Sequence, residues 1–269
     1  MKPDIIKDIT QYKSFHHSFY LGERFTKHHI CKYINMDLAS TLLRENSIRF
    51  SEPTSWPDKY EGRFYLASYE SLNVSDETIP KLYAQCFTIK QISEAQTKTY
   101  IQTGGLSARA VMFKINLSRF RKAILEKIDT SRRDLYEGLV CYDLKDKEIK
   151  ELHRKSSKYH NDIVKDFGLH TYLSLLLIKR KAFDYENEFR FFIVDRTDYT
   201  GKGIDQNSAK YLSIEITWSS VIDGILIDDN CTQNEEEQFK SLCRDYGIND
   251  RIIRRFRLYE MGDNVVMEN

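Results

Sequence analysis

A chain of 269 residues with 41% apolar and 30% charged side chains holds enough hydrophobic material for one large domain or two small ones. Its formal net charge of +1 excludes a global field that would draw in nucleic acid, so such a contact must come from a local patch. Only 4 Pro and 11 Gly argue against long disordered linkers, and five widely spaced cysteines without a C-x-x-C pair fit reduced thiols rather than disulfides or a zinc site.

In chain order, residues 1–27 are polar and aromatic and read as an N-terminal extension to a single domain over 28–269. Met1 to Thr10 carries charges and no apolar segment, which predicts no signal peptide and a cytoplasmic protein. His28 to Ile34 predicts a first strand, and Asp37 to Glu45 a short helix capped by Asn35 or Asp37. Asn46-Ser47 turns the chain into a strand from Ile48 to Ser51, and Pro53 to Tyr60 is a loop. Ala84 to Ile89 is strand-like, Ser93 to Tyr100 is helix or loop, and Ala108 to Ile115 is a strand. Ser118 is placed to cap a basic helix from Arg119 to Lys127, and Leu139 to Tyr142 is a further short strand.

Lys145 to Lys181 reads as mostly helical, broken near Gly168. Within it Leu169, Tyr172, Leu173, Leu176 and Leu177 recur at helical spacing and should face the core. The longest apolar run, Leu173 to Ile178, is too short to cross a bilayer, so no membrane partner is expected. Strands follow at Tyr211 to Ile216 and Val221 to Ile227, then a helix from Glu235 to Tyr246 and a last strand from Arg251 to Tyr259. Many short strands with helices between them and few βαβ units predict a single α+β domain, its mixed, mostly antiparallel sheet flanked by helices.

The most informative segment runs from Phe183 to Val194 and reads as one strand, rich in aromatics. Alternation puts Tyr185, Asn187, Phe189, Phe191 and Ile193 on one face, and Glu186, Glu188 and Arg190 on the other, followed by Phe192 and Val194. Two carboxylates and a guanidinium on one face either line a polar cleft or form an ion ladder on an exposed sheet. A cleft requires the Leu173–Leu177 helix to pack on the Phe189–Phe191 side.

Other candidates are weaker. His16-His17 and His28-His29 are adjacent pairs, which on a strand point to opposite faces. His153 and His160 fit a solvated helix surface, so no metal is expected. Gly104-Gly105 lacks a phosphate-loop frame, and no Ser-His-Asp or Cys-His arrangement stands out. A basic middle region (Arg109, Lys114, Arg119, Arg121, Lys122, Lys127, Arg132, Arg133) is joined late in the chain by Arg251, Arg254, Arg255 and Arg257. It is either a solvated face or a phosphate-contacting one.

Several segments, in order over about residues 28–230, resemble a widespread bacterial domain family of unknown function found in mobile and defence-associated gene neighbourhoods. The residues that carry the likeness are Cys31-Lys32-Tyr33-Ile34, then Phe50-Ser51-Glu52-Pro53 through Trp56-Pro57-Asp58-Lys59-Tyr60-Glu61. Cys86-Phe87-Thr88 and the stretch from Lys179 to Tyr185-Glu186-Asn187-Glu188-Phe189-Arg190 complete it. The family's Arg after K-Y is Ile34 here, its N-D-P is Pro57-Asp58-Lys59, and its M-W-x-x-Y is reduced to Lys98-Thr99-Tyr100.

More distantly, the order of Tyr33, Ser51, Glu186 and Glu188 resembles the ADP-ribosyltransferase superfamily. That resemblance implies an ADP-ribosyltransferase-like fold and NAD as cofactor. Glu188 would be the catalytic carboxylate and Glu186 a helper that orients the acceptor. Tyr33, Trp56 and Tyr60 would contact the nicotinamide, Lys32, Arg49 and Arg190 the pyrophosphate, and Ser51 would complete the NAD site. It also implies a toxin or anti-phage effector with an RNA or DNA acceptor and an antitoxin protein as partner. The same residues have plainer roles open to them: Tyr33 as a core aromatic, Ser51 as a turn cap, Trp56 as a loop anchor, and Arg190 as the partner of Glu188. The alternative function is a non-enzymatic nucleotide- or protein-binding module of a toxin-antitoxin or defence system. A metal-independent nuclease-like effector is the third reading.

Overall fold

Alternation along the central strands sends each one's odd and even residues into different cores. The computed structural model describes residues 12–15, 18–21, 27–56, 61, 80–90, 94–102, 109–150, 173–199 and 211–256. Among them eleven strands join one sheet: β1 (Tyr12–Phe15), β2 (Ser18–Leu21), β3 (His29–Asn35), β4 (Ser47–Ser51), β5 (Pro80–Thr88), β6 (Ala110–Asn116), β7 (Arg133–Leu139), β8 (Glu188–Tyr199), β9 (Tyr211–Glu215), β10 (Ile222–Ile227) and β11 (Ile253–Arg255). The helices are α1 (Met36–Glu45), α2 (Glu94–Gln102), α3 (Leu117–Lys127), the single turn α4 (Trp218–Val221) and α5 (Gln233–Asp245). No helix among the described residues is long and apolar enough to cross a membrane.

The sheet runs β1-β2-β7-β8-β5-β3-β6-β10-β11, and only β2–β7 and β10–β11 are parallel. The expected mixed, mostly antiparallel α+β architecture is therefore observed. Its centre has two well-paired halves, β7-β8-β5 and β3-β6-β10, joined by a single residue pair, Cys31 opposite Thr88. Further along the same edge, β5 pairs with β4 through Ser51 and Ala84, and β4 carries β9. The sheet thus branches at β5.

One face of both halves builds the main core. Ile34, Phe87, Phe113, Phe191 and Ile193 pack there against α1, α3 and α5, with Ile48 and Phe50 of β4. Phe87, Phe120 and Phe191 meet edge to face with ring centroids 5.2–5.7 Å apart, each contact adding about 0.5–1.5 kcal/mol beyond area burial. The opposite face holds two smaller clusters. Leu82, Ala84, Tyr136, Phe192 and Val194 pack with Leu173, Leu176 and Leu177, while Cys31, Tyr33, Met112 and Leu226 pack with Phe256.

Several expectations need correction. Phe183 to Val194 is not one strand: a 3₁₀ turn, Lys181–Glu186, ends at Asn187, and β8 starts at Glu188. Asn187 takes the left-handed conformation (φ 42°), which Asn tolerates, and both its backbone N–H and its side chain bond Asp184 O. Glu186 therefore does not share a strand face with Glu188. Leu173, Leu176 and Leu177 pack on the Arg190 side of β8, not on the Phe189–Phe191 side. The cap of α3 is Asn116, which accepts from Arg119 N, rather than Ser118. Arg133–Leu139, of which only Arg133 belongs to the basic region, is a strand, and within residues 1–27 β1 and β2 pair antiparallel and join the sheet through β7. Most of the expected helix from Lys145 to Lys181 lies outside the described residues, as do Gly104-Gly105 and the end of the expected last strand.

Candidate functional site

Where β3 and β5 part, backbone groups that would have paired need other partners. Lys32 supplies one. Its ammonium donates to Cys86 O (2.8 Å) and to Gln85 Oε1 (2.7 Å). Gln85 in turn donates through Nε2 to Arg49 O of β4 (2.8 Å). A polar plug thus closes the branch point, and burial lowers the Lys32 pKa. Beside it opens a small cleft of about 80 Å³, continuous with solvent. Its walls come from Lys32 and Tyr33 of β3, Cys86 and Thr88 of β5, Gln96 of α2, and Tyr185, Glu186 and Glu188 at the turn into β8. That volume is well below the about 300–1,000 Å³ of sites that enclose a drug-sized ligand, so a larger ligand would have to extend out of it.

Behind Glu188 lies a closed ring of charges. Lys179 Nζ donates to Glu188 Oε1 (2.6 Å), and Arg190 Nε donates to Glu188 Oε2 (2.6 Å). Arg190 also donates to Glu61 Oε2, and Glu61 Oε1 completes the ring as an ion pair with Lys179 at 3.0 Å. Arg190 is fully buried, bonds Leu176 O (2.6 Å) and lies 4.5 Å from the centre of the Trp56 ring. Two cations and two carboxylates balance, which an apolar interior demands. Glu186 is the extra carboxyl. It accepts a further Lys179 bond (2.6 Å), and its backbone carbonyl is held by Gln96 Nε2 (2.6 Å) and Thr88 Oγ1 (2.7 Å).

These surroundings drive the two carboxyls apart. Burial, then a hydrogen bond with Glu188 and that residue's charge, outweigh Lys179 and push Glu186 up to about 8. Burial also opposes ionisation of Glu188, but Arg190, the Glu186 hydroxyl and Lys179 prevail and hold it well below the usual carboxylate range. At neutral pH Glu188 is an anion and Glu186 mostly carries a proton. Burial pushes the cleft thiols Cys31 and Cys86 to about 12, so neither is a ready nucleophile. Among the described residues no group of three or more His, Cys, Asp or Glu is placed to hold a metal.

Of the residues expected at the site, Lys32, Tyr33, Glu186 and Glu188 meet at this cleft. Tyr33 is nearly fully buried and stacks on Phe256 with centroids 6.0 Å apart. Arg190 and Trp56 sit behind Glu188 instead of on the wall. Ser51 and Arg49 lie on β4, and Arg49 is exposed, paired with Glu45 (3.0 Å) and set against the Tyr211 ring. Tyr60 lies outside the described residues. Thr88, Gln96 and Tyr185 were not expected as site residues, nor were Glu61 and Lys179 as holders of Glu188. Thr88, Tyr185, Glu61 and Lys179 do occur in the motif segments, the one place in the sequence where a signal for them lay.

The basic middle region is largely paired within the chain. Arg121 grips the buried Glu137 through Nε and NH2, Arg132 and Arg133 share the buried Asp195, Arg119 bonds Asp223, and Lys127 bonds Glu215 (2.9 Å). His29 pairs with Asp223 at 2.7 Å, whereas His16, His17, His153 and His160 lie outside the described residues. No family model matches the chain, and no curated protein or solved structure does either.

Proposed function

We propose that the chain is an ADP-ribosyltransferase-like enzyme that uses NAD and acts as a toxin or anti-phage effector on nucleic acid. One observation carries this reading. Glu186 and Glu188 border one cleft in opposite protonation states, the pattern by which neighbouring carboxyls divide acid–base labour. Nicotinamide departs with the electron pair of its glycosidic bond and leaves positive charge on the ribose. A nearby carboxylate that stays ionised stabilises that charge, and Glu188 meets the requirement at every working pH. Glu186 takes the acceptor's proton as the new bond forms. It must be ionised to do so, so turnover rises with pH through about 8 and levels above it. Tyr185 supplies an aromatic ring to the wall, and Lys32 a positive charge. In this reading the protein works in the cytoplasm and an antitoxin protein restrains it. A polynucleotide acceptor would compete with carboxylates for the basic residues, making its binding strongly salt dependent.

The test is nicotinamide release from NAD by the purified protein. Turnover should fall about 10²–10³-fold in Glu188→Gln, which keeps shape but not charge. In bacteria, induction should arrest growth and Glu188→Gln should relieve the arrest. Equal turnover in wild type and variant sinks the reading. A binding module without chemistry is favoured by one contrary fact: both Glu188 oxygens are already bonded to cations. NAD binding by calorimetry without nicotinamide release would select that alternative.

A further inference from the structure

Glu61, Lys179 and Arg190 lie behind the cleft and take no direct part in the chemistry proposed. Glu61 stands 129 positions from Arg190 in the chain, yet its carboxylate reaches both cations that hold Glu188. Its exposure is 5%, so it cannot exchange those partners for water. Without it, Lys179 and Arg190 would offer two positive charges to Glu188 alone. Glu186, already 2.6 Å from Lys179, would become the natural second anion.

We infer that Glu61 is a positioning residue for the carboxyl pair: closing the charge ring from behind, it fixes Glu188 and leaves Glu186 as the member that carries the proton. The charge count supports this. Lys179 and Arg190 are balanced by Glu188 and Glu61, so an ionised Glu186 would be one carboxylate more than the ring's own cations balance. Lys32 of β3 is a further cation at the cleft wall, but its ammonium hydrogen bonds go to Gln85 and Cys86 O rather than to Glu186. Cys31, Cys86 and the Tyr142 phenol are held neutral, chiefly by burial. Trp56 lies against the Arg190 guanidinium and covers that side of it. The catalytic consequence rests on the transferase reading, while the placement of the proton does not.

The deciding experiment is a carboxyl ¹³C NMR titration of glutamate-labelled protein, with Glu186→Gln assigning the signal. Glu186 should titrate near pH 8 in the wild type. In Glu61→Gln its midpoint should fall by at least about one unit, a tenfold weaker hold on the proton. Glu61→Asp keeps the charge one carbon further back and should shift the midpoint the same way by less. A midpoint unchanged in both variants overturns the inference.

Stability supplies a second arm if Glu61→Gln does not fold. A carboxyl raised from 4.5 unfolded to about 8 folded adds nothing to stability below 4.5 and costs increasingly as pH rises through 8. Wild type should therefore lose urea resistance over that window relative to Glu186→Gln, and parallel curves refute the placement of the proton. In NAD turnover, the rise with pH should move to lower pH in Glu61→Gln. If the wild type consumes no NAD, the transferase reading fails and the titration still decides the role of Glu61.

Discussion

The ring around Glu188 and the basic surface along α3 contain the same kinds of residue and obey different physics. In the ring, Arg190 is fully buried and Glu61, Lys179 and Glu188 nearly so, and every charge faces more than one opposite charge. On the surface, Lys122 and Glu126 face each other at 3.7 Å with both side chains more than half exposed. Water screens the second pair and leaves little to gain or lose. In the ring each charge depends on its neighbours, so the geometry is rigid and protonation states are displaced. A site for proton transfer needs that displacement, and a solvated helix face cannot provide it.

Breaking the ring should have the largest effect. Arg190→Met removes the cation that both Glu61 and Glu188 require and leaves buried carboxylates under-compensated. Urea unfolding should report a loss of about 3–5 kcal/mol. A loss under 1 kcal/mol would mean that the ring behaves like the surface pairs. An intermediate case sharpens the comparison: Arg121 is partly exposed but holds the buried Glu137. Arg121→Gln should cost about 1–3 kcal/mol, with the remaining Glu137 carboxyl moving further up in an NMR titration. Reversing Arg121 to Glu to test polynucleotide binding would confound binding with folding, so Arg119 and Lys122 are the cleaner pair. Smallest of all, Lys127→Gln breaks the exposed bond to Glu215 and should change stability by no more than about 1 kcal/mol. A larger effect would show that the surface pairs act as a network.

Local signals made much of the frame legible. Asn35 caps α1 by accepting from Leu38 N, as an Asn before a periodic apolar run should. Thr232 and Glu235 form a capping box at the start of α5, two to three residues from the expected helix start. Alternation along β8 separated Glu188 and Arg190 from Phe189 and Phe191. The segment before β8 was misread because aromatic content outweighed the turn chemistry of Asp184 and Asn187. Arg133–Leu139 is hard to read as a strand because it is buried on both faces and so shows no alternation, and its Asp134 and Glu137 are buried with partners.

By itself the sequence determined what short-range sterics and periodicity control: the α+β class, most element positions, and Lys32, Tyr33, Glu186 and Glu188 as the polar and aromatic residues to watch. Tertiary structure decided which of them meet. The parting of β3 from β5 created the cleft, and packing of the residue 173–178 segment on the Arg190 side closed over what was expected to be open. Glu61, from a distant segment, entered the ring only because Arg190 and Lys179 were already buried and needed it. Charge balance in a low-dielectric interior is a property of the assembled set, and no local pattern along the chain encodes it.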